Sequence, residues 1–221
     1  MKHRSRIALL LLAAMLLSLA GCAAKPEARA YEAPMLAFEA LLNNPDAAWP
    51  DAVQAAVGDF CGEELTRIAQ LMIRTGITTD EIMTDRMLGE YRAVYGYDCT
   101  FDFTVEKAEP MDDATLAHYR NQLDYDSAFF GENLEKLLRE GAIDWESGQP
   151  LEETAEMEQL CTTLRDRFAA AEISEGYVLR ILVTVIGSDH QERDQGQDTM
   201  NLLCIDGVWV IGDVFDNSYT Q

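Results

Sequence analysis

The order of apolar and polar positions is most regular toward the end of the chain. Tyr177, Leu179, Ile181, Val183 and Val185 alternate with the residues between them in a run rich in β-branched side chains that stops at Gly187. A strand over 177–186 with those five on one buried face is the reading that period two requires. Residues 187–197 contain no apolar side chain, so they are expected to form a solvated connection between antiparallel strands. Two further apolar runs, 199–205 and 208–215, flank Asp206-Gly207. That pair is a type I′ hairpin signal, because both central residues need positive φ. The turn sets the register: Cys204 opposite Trp209, Leu202 opposite Ile211 and Met200 opposite Asp213, with Leu203, Ile205, Val208, Val210 and Val214 on the other face. Two apolar faces predict central strands with helices on at least one side.

Upstream the period is mostly helical. Met35, Phe38, Leu41 and Leu42 share a stripe that starts at Pro34 and ends at Asn43-Asn44-Pro45, and Leu65, Ile68, Leu71 and Met72 form a second stripe in a helical region opened by Pro50-Asp51. Thr78 with Glu81 makes a capping box for a helix that buries Ile82, Met87, Tyr91 and Tyr95 and ends at Gly96. Then Tyr97, Cys99, Phe101, Phe103 and Val105 alternate with polar residues, which predicts a half-wet strand nearer a sheet edge. Asp112 or Asp113 can cap a helix bearing Leu116, Tyr119 and Leu123; Leu134, Leu137 and Leu138 mark another; Met157, Leu160, Cys161, Leu164 and Phe168 mark a third over 151–171. Helices, one strand, more helices and three antiparallel strands make an α+β pattern, with helices packed on a curved antiparallel sheet.

The first residues stand apart from this pattern. Lys2, His3, Arg4 and Arg6 precede an apolar run, 7–19, and then Leu19-Ala20-Gly21-Cys22. This resembles a bacterial lipoprotein signal peptide with its lipobox, which implies cleavage after residue 21 and acylation of Cys22. Several acyl chains on one residue would anchor the protein stably at the outer face of the cell membrane. The organisation expected is a signal peptide at 1–21, a lipidated tether at 22–33 and one domain at 34–217. Among 221 residues, 48% hydrophobic content suffices for one core. Residues 1–21 hold three of the 17 Lys+Arg and none of the 39 Asp+Glu, so their removal takes the formal charge from −22 to −25. Such a surface repels polynucleotides and leaves cationic partners open. Apart from Cys22, the cysteines Cys61, Cys99, Cys161 and Cys204 are too widely spaced for a CxxC site. They read either as buried thiols or as one or two disulfides among three pairings.

The lipobox, the leading helices before a strand, the segment Glu109-Pro110-Met111-Asp112-Asp113-Ala114 and the ending Ile205-Asp206-Gly207-Val208-Trp209-Val210-Ile211-Gly212 together resemble bacterial lipoproteins with an NTF2-like, cystatin-like cone domain. The resemblance implies a cone of helices on a curved sheet, from which this chain departs by a long helical insert, 112–171, and by four strands where more are customary. It implies a location and a shape more than a reaction.

Candidate chemistry is sparse. Cone-fold enzymes hold a carboxylate in a pocket between helices and sheet, and the hairpin register nominates Asp213, with Trp209 and Ile211 beside it and Tyr119 and His118 reaching in from a helix. Burial there would raise the carboxyl pKa. Asp189, His190, Glu192, Asp194 and Asp198 crowd one loop, but the spacing is not that of a calcium loop. Hydrolase, metalloprotease and nucleotide-binding motifs are absent from the sequence. The sequence therefore favours a membrane-tethered, non-enzymatic module, with no catalytic residue, metal or cofactor assigned, that binds a small molecule, peptide or envelope protein. The alternative is an isomerase- or cyclase-like enzyme using Asp213.

Overall fold

The computed structural model describes residues 29–44, 46–76, 91–128, 151 and 153–215, together with the single positions 89 and 136. The chain divides into two units, Met1–Ala30 and Tyr31–Gln221, and the helices and strands from Ala33 onward belong to the second. The signal peptide, Cys22, the Thr78–Glu81 capping box, Ile82, Met87 and the 134–138 stripe lie outside the described residues.

The first helix, α1, is Ala33–Leu42. Pro34 sits in its first turn, where a missing N–H breaks no helical bond. The second, α2, is Trp49–Arg74, and it is bent at Gly58 (φ 50°, ψ −141°) and Cys61 (φ −151°, ψ 15°). Glycine accepts the positive φ without the Cβ clash that another residue would meet. Ala52, Val53 and Ala56 before the bend border one side of the sheet, while Arg67 and Arg74 after it pair with Glu156 and Glu153 of a later helix. The bend therefore lets one helix serve two layers. A short helical segment at 91–95 ends, as its sequence predicts, at Gly96 with φ 99°. Tyr95 is half-buried there, but Tyr91 is 44% exposed instead of buried.

Four strands follow the order β1-β2-β3-β4, all antiparallel: β1 Thr100–Pro110, β2 Ile173–Ile186, β3 Glu192–Ile205 and β4 Val208–Ile211. Asp206 and Gly207 have φ of 51° and 82°, and Cys204 faces Trp209 as Leu202 faces Ile211. The hairpin and its register are those the sequence predicts. Register shifts between Val105 and Lys107, Ile173 and Glu175, and Val185 and Ile186 add the local bending that bulges give a sheet.

Several expectations change. The solvated connection is only 187–191, because 192–198 continue β3 against 181–186 of β2 with every side chain exposed. Backbone pairing with β2 extends that strand where no apolar face marks it. β4 stops at Ile211 and forms an edge, so the C-terminal strands are not all central. Gly212–Phe215 turns into a 3-10 segment, which leaves Met200 without Asp213 as a ladder partner and Val214 50% exposed. Tyr97 lies outside β1 and is 67% exposed. Tyr31, placed in the tether by its sequence, is buried and stacks on Tyr177 at 4.5 Å, so the folded unit begins there and not at Pro34.

The other two helices are α3, Asp113–Ala128, and α4, Glu153–Ala170. Asp112 caps α3 by accepting the Thr115 N–H at 2.8 Å and its hydroxyl at 2.7 Å. Those bonds, the hydroxyl first, hold the Asp112 carboxyl below its usual range. Leu116, Tyr119 and Leu123 of α3 and Met157, Cys161, Leu164 and Phe168 of α4 are buried, as their stripes predict. Leu116 comes up against Gly176 of β2, and Gly176 is paired with Leu203. Helix α3 thus covers the sheet face of Leu203, while α1 covers the opposite face, where Phe38 meets Phe103. The result is an α+β fold, helices on a curved, unclosed four-stranded antiparallel sheet, compatible with a cone.

Both open edges are protected by side chains. Asn43 accepts the Phe101 N–H at 2.7 Å and donates to the Phe101 carbonyl at 2.8 Å, and Glu39 accepts the Phe103 N–H at 3.0 Å. The end of α1 thereby substitutes for a neighbouring strand beside β1. Beyond the end of β4, the N–H groups of Gln195, Thr199 and Asn201 go to the carboxylates of Asp194, Asp198 and Asp213 at 2.8, 2.8 and 3.0 Å. Strand N–H groups alternate between neighbours, so these three line the side away from β2. Carboxylates there both satisfy the donors and discourage a further strand.

Candidate functional site

The face under α1 is not filled. Strand alternation brings Phe101 and Phe103 of β1 into register with Val185 and Val183 of β2, and these with Phe38 and Leu42 of α1 and Tyr91 surround a cavity of about 330 Å³. A second cavity, of about 480 Å³, is bordered by Ala52, Val53 and Ala56 of α2, Met200 of β3 and Ile211 of β4. Phe38 and Asp198 border both, so the two lie side by side as a two-part groove beneath α1 and the first half of α2. Its floor and roof are apolar. The polar residues stand along the rim: Asp194, Gln197 and Asp198, all exposed, then Thr199 and Asp213.

The mouth owes its width to one missing side chain. Gly196 faces Val183 across the ladder, between Asp194 and Asp198, and a Cβ built on it would have nothing within 4 Å. At one end Tyr91 meets Phe101 edge-on at 5.5 Å and stacks near Tyr95 at 6.3 Å. The Tyr95 hydroxyl donates to Asp194 at 2.6 Å, a bond that holds the phenol's proton on above its ordinary range. A second aromatic cluster lies outside both linings. Tyr31, Tyr177 and Trp209 lie 4.5 to 6.0 Å apart, centroid to centroid.

The residues nominated from sequence are divided by this arrangement. Ile211 and Asp213 border the groove, and Trp209 belongs to the aromatic trio beside it. Tyr119 does not reach it: it is buried in the stripe by which α3 covers the opposite face, with His118 beside it at 5.6 Å. Cys22 lies outside the described residues. Asp213 is half-buried and serves as a structural acceptor, taking the Asn201 backbone N–H and, in a short contact, the Asn201 side-chain amide. It supplies the acceptor that β4, having ended, no longer offers.

The acidic loop separates into local pairs. Asp189 takes the Gln191 N–H at 3.2 Å and Arg193 at 2.5 Å, which hold its carboxyl below the usual range, the Gln191 bond foremost. Asp194 goes to Tyr95, and His190 turns the chain with φ 59°. No three His, Cys, Asp or Glu among the described residues converge as metal ligands.

The thiols Cys61, Cys99, Cys161 and Cys204 are buried and not joined in disulfides. Burial pushes the Cys61 thiol up to about 12, against a smaller downward pull from Arg167, so it is a core residue and not a nucleophile. An unfolded thiol ionises near pH ~8.5. Folding stability linked to Cys61 is therefore whole below that pH and is lost as pH rises toward the folded value. The expected result is a thermal midpoint that falls above about pH 9, with a shallower fall in Cys61→Ala; equal slopes in the two proteins would contradict it.

Sequence reasoning named most of the groove's apolar residues as core stripes but could not show that they leave space. Gly196 carries no such signal in the sequence, because a glycine marks a close approach only inside a strand and 187–197 read as a loop. Searches against protein-family models, curated proteins and solved structures find no match.

Proposed function

We propose that this chain is an extracytoplasmic lipoprotein, tethered to the membrane through Cys22, whose folded unit holds a small, largely apolar molecule in the groove between α1 and the sheet without converting it. One observation carries the reading. An unfilled apolar groove opens along the β3 edge, its polar groups confined to the rim. Natural small-molecule sites have this composition, an apolar lining with a few polar groups that fix orientation. The binding reading is favoured over the enzyme alternative by the role of Asp213, which accepts the Asn201 N–H where β4 has ended. Among the described residues, the acids and bases that share the rim with it are the other carboxylates of the β3 edge.

Two measurements test the two halves. Nile red, a neutral dye that brightens in apolar surroundings, is expected to bind the purified protein saturably, one molecule per chain; brightening without saturation would contradict a defined site. Cells fed an alkyne-tagged palmitate are expected to label the protein, and Cys22→Ser to lose the label. Label retained in Cys22→Ser, or absent from the native protein, would remove the anchor from the account.

A further inference from the structure

The charged side chains that line the two cavities are all acidic, and Arg180 borders a separate cavity with Gln197, Asp198 and Thr199. Among the described residues, neither cavity is bordered by a lysine or arginine, whereas Asp194, Asp198 and Asp213 stand along the rim. The whole chain carries a formal charge of −22, but the rim carboxylates are distinguished by being fixed in place. Each accepts a backbone N–H of β3, and Asp194 is held further by Tyr95. Each carboxylate oxygen keeps acceptor capacity beyond these bonds, so the rim remains able to receive donors. Asp198 occupies the position common to both cavities. Strand rise places Asp194 about 13 Å away along β3, with the bare Gly196 between them.

We propose that the ligand class of this groove is a small cationic amphiphile: an apolar body lying on Phe103, Val183 and Met200 under Phe38, and an ammonium or guanidinium group received at Asp198. This inference rests on the groove-binding reading above and adds the sign of the ligand's charge. A fixed carboxylate beside a low-dielectric apolar wall attracts a cation more strongly than one in open water and repels an anion equally. A basic peptide added as a fifth strand is disfavoured by the same residues. The outward N–H groups of Gln195, Thr199 and Asn201, which such a strand would need, are already taken.

The test uses the intact folded protein and three probes of one chain length, decylammonium, decanol and decanoate, below their micelle concentrations, titrated calorimetrically. Decylammonium is expected to bind best and decanoate worst. The preference for decylammonium over decanol is expected to be on the order of tenfold at low salt, since exposed ion pairs each supply a factor of a few, and to shrink as salt screens the rim. Asp194→Asn with Asp198→Asn preserves a side-chain acceptor for each N–H and is expected to bring decylammonium affinity down to that of decanol in the same variant. Decanol binding as tight as decylammonium, or a preference that survives the double substitution, overturns the cationic inference alone. In the unaltered protein, a preference that does not shrink with added salt overturns it too, without any substitution. Failure of all three probes to bind overturns the groove reading beneath it.

Discussion

Phe168→Ala is expected to lower the free energy of unfolding by about 3–5 kcal/mol, the largest loss expected from a single truncation in this core. The Phe168 ring is 2% exposed and meets Phe60 edge-on at 5.4 Å and Phe215 at 5.8 Å. These three rings come from α4, the bend of α2 and the segment after β4, so the site cannot close by moving one element. A residual cavity adds its own cost to the lost transfer energy. Because domains of this kind are stable by only about 5–15 kcal/mol, the variant should be partly unfolded at modest denaturant. Phe168→Leu should recover a good part of the loss. A midpoint within experimental error of the unaltered protein would mean that the aromatic cluster does not join α2, α4 and the chain end.

The second large effect is expected at Arg167. Its guanidinium grips Glu64 with two nitrogens and donates to the Phe60 carbonyl at 2.6 Å. The Arg167 side chain is 33% exposed and that of Glu64 16%. Removing one partner of a buried pair costs about 3–5 kcal/mol, because the other is left charged and unpaired. The partial exposure here brings the expectation for Arg167→Met to about 2–3 kcal/mol. The Phe60 carbonyl lies at the bend of α2, between the non-helical Gly58 and Cys61, so Arg167 also ties α4 to that bend. Glu64→Leu combined with Arg167→Met should be more stable than Arg167→Met alone, since the stranded carboxylate is gone. Additive losses in a chemical-denaturation double-mutant cycle would show that the two side chains do not act as a pair.

What the sequence disclosed, and what it did not, separates along physical lines. The stripes of α3 and α4 were readable because burial selects side chains at helical spacing. The hairpin was readable because few residues other than glycine and aspartate accept the φ values found at Asp206 and Gly207. Both are local signals. Residues 192–198 were unreadable as strand because their pairing is made by backbone atoms, and their side chains stay in water on either face. The bend at Gly58 and Cys61 depends on which layer each half of α2 must cover, which is decided by contacts distant in sequence. Of the residues nominated from sequence, Trp209 and Ile211 follow from the correct register. Asp213 loses its place opposite Met200 because β4 ends at Ile211, and Tyr119 meets the opposite face because a helical stripe does not say which side of a sheet it will cover.

The central claim, that the groove under α1 is a binding site, is tested most directly by filling its mouth. A side chain at 196 enters open space, so Gly196→Phe is expected to leave the thermal midpoint unchanged or higher. With the fold so verified, a Nile red titration of this variant should show the saturable binding of the unaltered protein lost. Undiminished, one-to-one binding by Gly196→Phe would place the dye elsewhere and contradict the account.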